Sequence, residues 1–204
     1  MKNTRSFKQQ FKPEQVVKIS ELIHDLENVE DAATGYKVFC TEIQGCLSNG
    51  LLLASVLVSW SWLELFVRDL LVALRIEQQY AGDISVRARV EKALEHDHEL
   101  GFKKMVQELT RLVFTPNDAR ELLRFYDAVR VPLSHGLIRR FTSSDVEKAQ
   151  WLEELFADQA RRAKLEDTIE SRAISAVAFV VKVTMRYQPW LLRRLHAVGR
   201  NRRQ

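Results

Sequence analysis

The chain is poor in the residues that interrupt regular structure. Its 204 residues include only 7 glycines and 4 prolines, too few for a collagen-like, linker-rich or disordered chain. Cysteine is scarce as well, with Cys40 and Cys46 the whole complement. They form no CxxC pair and stand near no Cys/His group, which excludes a disulfide scaffold and fits a reducing compartment. Both read as small buried apolar residues. The most apolar stretch, from Leu51 to Leu63, is closed by Glu64, Arg68 and Asp69. A bilayer span needs about 18 uninterrupted apolar residues, so this stretch reads as a core helix. The start of the chain, MKNTRSFKQQFKPEQ, is polar and has no signal-peptide core. A cytoplasmic protein without a membrane span is expected.

Several chemical signatures are missing too. There is no GxGxxG, P-loop, GxSxG, HExxH or EF-hand loop, which removes the common nucleotide, hydrolase and metalloprotease classes. The segment Glu95-His96-Asp97-His98-Glu99 looks like a set of metal ligands. On a helix, however, His96 and His98 face opposite sides, so it reads as a solvated helix end and no metal or other cofactor is expected.

Hydrophobic residues make up 46% of the chain and charged residues 28%, enough for one domain with a sizeable core. The formal charge of +4 is unevenly spread. From Arg186 to Gln204 there are six arginines and no acid, and the other 25 basic residues face 27 acidic ones. The excess positive charge therefore sits at the C-terminal end, as either a basic arm for a polyanion or a solvated tail.

Apolar spacing is helical throughout. Val16, Val17, Ile19, Leu22, Ile23 and Leu26 form one stripe after Pro13, which suits a first turn. A long helix is predicted from about Thr41 to Tyr80, ended by Gly82. Trp60 and Trp62 point in nearly opposite directions on it, so it should be buried all round. Glu64 and Arg68 can pair on it at i, i+4. Shorter helices are predicted from Ser85 to Glu99 and from Phe102 to Phe114. Another starts at Thr115-Pro116, with Thr115 a candidate N-cap, and turns Leu122, Leu123, Tyr126 and Val129 inward. It should break before Pro132. Ser143 or Ser144 opens a helix to about Phe156. The last helix spans about Leu165 to Tyr187, with Ile169, Ala173, Ala176, Val177, Val180, Val181 and Thr184 inward and an end or kink at Pro189. The expected architecture is one all-α helical bundle built around helices 41–80 and 165–187. Its core covers residues 13–187, and residues 188–204 form a basic tail.

One segment carries chemistry. In Arg130-Val131-Pro132-Leu133-Ser134-His135-Gly136 an arginine stands five positions before a histidine, across an Xaa-Pro break and beside a glycine. Arg89 and His96 are similarly spaced, but in a charged helix with no break and no glycine. The stretch LLRFYDAVRVPLSHGLIRRF, Leu122 to Phe141, resembles the Rx4–6H signature of the HEPN superfamily. The helix WSWLELFVRDLLVAL, Trp60 to Leu74, is similar to the earlier helix of such domains. The resemblance implies an all-α fold, and many members are metal-independent ribonucleases of toxin–antitoxin and antiphage systems. It also implies a homodimer in which two motifs meet in a cleft, with an antitoxin or defence-system protein as a further partner.

The residue types suit that chemistry. Histidine titrates near neutrality and serves as acid or base. Arginine stays charged and presents a planar fork to phosphate. His135 is thus the candidate acid or base and Arg130 the phosphate binder. Ser134, Arg139 and Arg140 are candidate substrate contacts, the arginines along the RNA backbone. Glu64, in the buried helix, needs a partner and either pairs with Arg68 or orients Arg130 or His135. Val131 stands where many members carry a polar residue, and Leu137 where an extended subtype carries Tyr. A non-catalytic HEPN-like module that binds RNA or protein is therefore the second reading. A helical adaptor with a chance Arg/His spacing is the third.

Overall fold

The computed structural model of the chain describes residues 13–27, 36–97, 100–127 and 159–196, with side chains of the last segment described over 173–194. The described residues are all-helical. In chain order they form α1 (Pro13–Glu27), α2 (Tyr36–Ser48), α3 (Leu52–Tyr80), a short 3-10 turn (Ile84–Val86), α4 (Arg87–His96), α5 (Phe102–Leu109), α6 (Pro116–Phe125) and α7 (Gln159–His196). α3 is the axis of the bundle. α7 lies along it in the most extensive packing among the described residues, and α2, α4 and α5 cover its other sides. α1 packs on α7 and α2, and α6 rests against α5.

The two tryptophans of α3 show why one helix serves as the axis. Trp62 is fully buried on the α2 side, with its ring 6.3 Å from that of Tyr36. Trp60 faces the other way and packs on Phe102 at 4.7 Å, Tyr126 at 5.5 Å and Phe125 at 6.1 Å. Residues two apart on a helix point roughly 200° apart. This pair therefore commits α3 to burial on two opposite sides.

The long helix predicted over 41–80 is two helices. α2 stops at Ser48, and Gly50 takes a left-handed φ of 71°. The Gly50 N–H donates to the Leu47 carbonyl at 3.1 Å and the Leu51 N–H to the Cys46 carbonyl at 2.8 Å. This is a Schellman stop with glycine at the position that needs positive φ. Asn49-Gly50 carries that signal, and the apolar run through Leu51 masks it.

Other boundaries differ as well. α5 ends at Leu109 rather than Phe114, because Arg111 turns the chain with φ 74° and its N–H donates forward to the Phe114 carbonyl at 2.9 Å. α4 stops at His96, short of the predicted Glu99. On α1, Val17 faces solvent and Gln15 takes a buried place.

α7 does not stop at Tyr187. It runs through Pro189 to His196, and Gln188 and Leu191 are buried on the way. A proline in mid-helix leaves the carbonyl four residues earlier without its donor. Pro189 and Met185 both face solvent, so that carbonyl lies on the wet side of the helix. The basic segment placed at 188–204 thus begins inside a core helix. Arg194 pairs with Glu77 of α3 at 2.6 Å and stacks on Trp190 at 3.7 Å from the ring centre. Arg186 is taken up by an ion pair with α6.

Candidate functional site

Arg130, Ser134, His135, Arg139 and Arg140, with Val131, Leu137 and the helix start at Ser143 or Ser144, lie outside the described residues. What the structure describes is the base from which that segment leaves: α6, which leads to Asp127, three residues before Arg130.

α6 is fixed at both ends. At its start, Thr115 is the N-cap the sequence predicts, and its Oγ1 accepts from the Asp118 N–H at 3.2 Å. The Thr115 hydroxyl donates in turn to Asp118 Oδ2 at 2.5 Å. Asp118 also accepts from two groups of α7, Arg186 Nη1 on Oδ1 at 2.8 Å and the Tyr187 hydroxyl on Oδ2. Burial alone would raise the Asp118 carboxyl. The donors Thr115 and Tyr187 and the charges of Arg186 and Lys182 outweigh it and hold the group below the usual carboxylate range. Burial, and then the bond to Asp118, pushes Tyr187 up to about 12. Half of this signal is local, since an acid three residues after a Thr N-cap resembles a capping box. The partners on α7 lie 68 and 69 residues away, beyond any local pattern.

At its other end, α6 turns Leu122 and Phe125 fully inward, with Leu123 and Tyr126 half-buried. Phe125 stacks on Phe179 of α7 at 4.7 Å, and Tyr126 stacks on Phe102 at 5.5 Å. Lys103 lies over the Tyr126 ring at 5.3 Å and pairs with Asp127 at 2.7 Å. The helix widens into a π turn at Tyr126 and Asp127, a local form often found at functional positions.

Glu64 is joined to this end. Its Oε2 accepts the Trp60 indole N–H at 3.2 Å, and Trp60 packs on Phe125 and Tyr126. The pair expected with Arg68 is not formed. An indole that must bury its ring against α5 and α6 turns its N–H toward the carboxylate one turn along α3, and that bond takes the acid.

A second buried network lies between α2, α3 and α4, and residue spacing carries no sign of it. The Tyr36 hydroxyl donates to Asp69 Oδ2. Arg87 Nη2 lies 3.5 Å from Asp69 Oδ1, and Arg87 Nε donates to Glu91 at 2.6 Å. Burial pushes the Asp69 carboxyl up, against the lowering effect of the Tyr36 bond and the Arg87 charge. Burial and the Asp69 charge push Tyr36 far above its ordinary value. The network ties three helices together on the side of α3 that faces Tyr36.

Cys40 is buried and Cys46 half-buried, and neither is joined in a disulfide. Among the described residues no three His, Cys, Asp or Glu side chains are grouped to hold a metal ion. His96 is exposed, with Nδ1 2.7 Å from the Lys92 carbonyl oxygen, and His98 lies outside the described residues. No helix among the described residues is long and apolar enough to cross a membrane. Comparison with protein-family models, with curated proteins and with solved structures gives no match.

Proposed function

We propose that the chain is a metal-independent endoribonuclease of HEPN type, acting as a toxin or antiphage effector through Arg130 and His135 in a dimeric cleft. The observation that carries this reading is the fixing of α6. The helix that leads toward Arg130 is pinned to α7 by Asp118 and to α3, α5 and α7 by Trp60, Phe102 and Phe179. Catalysis by an Arg/His pair depends on position. Misplacement by about 1 Å costs on the order of 100-fold, and rigid supports are what such a pair needs. Glu64, held by Trp60 beside the same helix end, is suited to orient Arg130 or His135.

Each group has a defined task in this reading. One histidine takes the proton from a ribose 2′-hydroxyl, and the 2′-oxygen attacks the adjacent phosphorus. Arg130 binds the non-bridging oxygens as charge gathers on the phosphorane. The bond from phosphorus to the 5′-oxygen breaks, and an acid delivers a proton to that oxygen. The products are a 2′,3′-cyclic phosphate and a 5′-hydroxyl. One histidine cannot readily be base and acid within a single step, so the partner copy of the homodimer supplies the second histidine. Ser134 donates to phosphate, and Arg139 and Arg140 follow the RNA backbone.

The test is cleavage of end-labelled RNA in EDTA by wild type, Arg130→Ala and His135→Ala, each first shown to be folded. Cleavage that survives EDTA and disappears in both variants supports the reading. Cleavage unchanged in His135→Ala overturns it, as does no cleavage of several RNA classes. RNA binding without cleavage would select a non-catalytic helical module instead.

A further inference from the structure

The outer face of α6 carries an open groove of about 770 Å³. Its floor is apolar, formed by Pro116, Ala119 and Leu123, and Arg120 and Arg124 stand along it. Both arginines are exposed, and neither makes an ion pair among the described residues. The one acid on the wall, Asp127, is paired with Lys103 at 2.7 Å. The groove therefore presents two positive charges that nothing in its lining offsets.

We propose that this groove binds the sugar–phosphate backbone of single-stranded RNA next to the scissile bond. The inference rests on the ribonuclease reading in one respect, that Arg130 takes the reacting phosphate. Arg120 and Arg124 are one turn apart, which sets their Cα atoms about 6 Å apart along the helix axis. That spacing lets two guanidinium forks take successive phosphates of one strand. In sequence, Asp127 of the groove wall stands three residues before Arg130. The floor offers no free aromatic face: Tyr126 is stacked on Phe102 and covered by Lys103. Without a stacking platform or base-edge donors, the groove reads backbone charge and not sequence.

The test measures binding of a labelled single-stranded RNA to the full chain carrying His135→Ala, so that the probe stays intact, over a series of salt concentrations. Arg120→Ala/Arg124→Ala in that background should weaken binding by about tenfold or more at low salt. It should also reduce the slope of log affinity against log salt by about 1.4, at about 0.7 for each single-strand phosphate no longer neutralised. Arg120→Lys/Arg124→Lys should keep the slope close to that of the parent, because a lysine still neutralises a phosphate. Thermal melts control for folding, and both side chains are exposed, so the variants should melt with the parent. An unchanged affinity and slope in the alanine double variant overturns the groove. So does competition by polyglutamate as effective as that by RNA, which would assign the groove to acidic polypeptides. The EDTA cleavage assay with otherwise wild-type protein is read separately. Cleavage that depends on Arg130 and His135 beside an unchanged slope removes the groove and keeps the ribonuclease.

Discussion

Arg186 Nη1 meets Asp118 Oδ1 at 2.8 Å, joining the last long helix to the first turn of α6 across 68 residues. The Asp118 side chain is nearly buried, and the Arg186 side chain is 53% exposed. The Tyr187 hydroxyl and the Thr115 cap take the other oxygen. Removing the acid leaves a buried tyrosine hydroxyl and a helix cap short of partners, while Arg186 can turn to water. Asp118→Ala should therefore cost about 2–3 kcal/mol, read by urea unfolding. A loss under about 0.5 kcal/mol would mean that the network does not hold α6.

The same residue sets a pH dependence. The folded-state pKa of Asp118 lies below the ordinary carboxylate value of about 3.9. Its stabilising contribution is therefore complete above about pH 4 and is lost as pH falls through the lowered value. Unfolding midpoints of wild type and Asp118→Asn should converge on acidification below about pH 4. A gap that stays constant down to the lowest pH at which the chain folds would contradict the lowered pKa.

Asp69 behaves in the opposite sense. Burial raises its carboxyl, so the folded chain holds that proton more tightly than the unfolded chain. Stability from this group is present at low pH and is lost as pH rises from about 4 through the raised value. Asp69→Asn keeps an acceptor for Tyr36 and leaves Arg87 with Glu91. The variant should match wild type at neutral pH or exceed it by about 1 kcal/mol, because a buried charge has been removed. Tyr36→Phe should cost about 2 kcal/mol, because the buried acid loses its closest donor. Urea midpoints for both variants at mildly acidic and neutral pH check the pattern.

The features of the fold that depend on local chemistry are legible in the sequence. Thr115-Pro116 marks the start of α6, and the opposed tryptophans at 60 and 62 mark an axial helix. The helical spacing of Ala173, Ala176, Val177, Val180, Val181 and Thr184 marks the inner face of α7, and all six are buried. Long-range pairings stay hidden. Nothing near Asp118 announces Arg186 or Tyr187, and nothing near Tyr36 announces Asp69. The break at Asn49-Gly50 is masked because periodicity continues across it. Pro189 misleads in the other direction: the helix continues through it, and the carbonyl it leaves without a donor lies on the wet side.

Gly50 gives a backbone prediction. Its φ of 71° is left-handed, and the Schellman bonds around it end α2 and start α3. Gly50→Ala should destabilise the fold by about 1 kcal/mol, the usual cost of forcing a Cβ into that region. Gly45 lies inside α2, where an added Cβ meets nothing within 4 Å. Gly45→Ala should therefore stabilise by up to about 1 kcal/mol through helix propensity. Opposite signs for these two glycines, measured by thermal unfolding, would establish the helix break. Equal signs would support one continuous helix.

Trp60 and Glu64 connect stability to the proposed chemistry. Trp60→Ala opens a cavity among Phe102, Phe125 and Tyr126 and should cost about 3–5 kcal/mol. Glu64→Gln keeps an oxygen to accept the indole N–H and should change stability by less than about 0.5 kcal/mol. On the proposed reading, Glu64 would position Arg130 or His135 through its charge. The glutamine variant should cleave RNA about tenfold more slowly, a barrier change of about 1.4 kcal/mol. On that reading the pH–rate profile should also move to lower pH, because the catalytic histidinium would lose an anion that favours it. Glu64→Asp should recover part of the rate, since it restores the charge at a shorter reach. Full activity in Glu64→Gln with an unmoved pH profile would reduce Glu64 to a partner for the Trp60 indole and leave the Arg/His pair to be oriented by other groups.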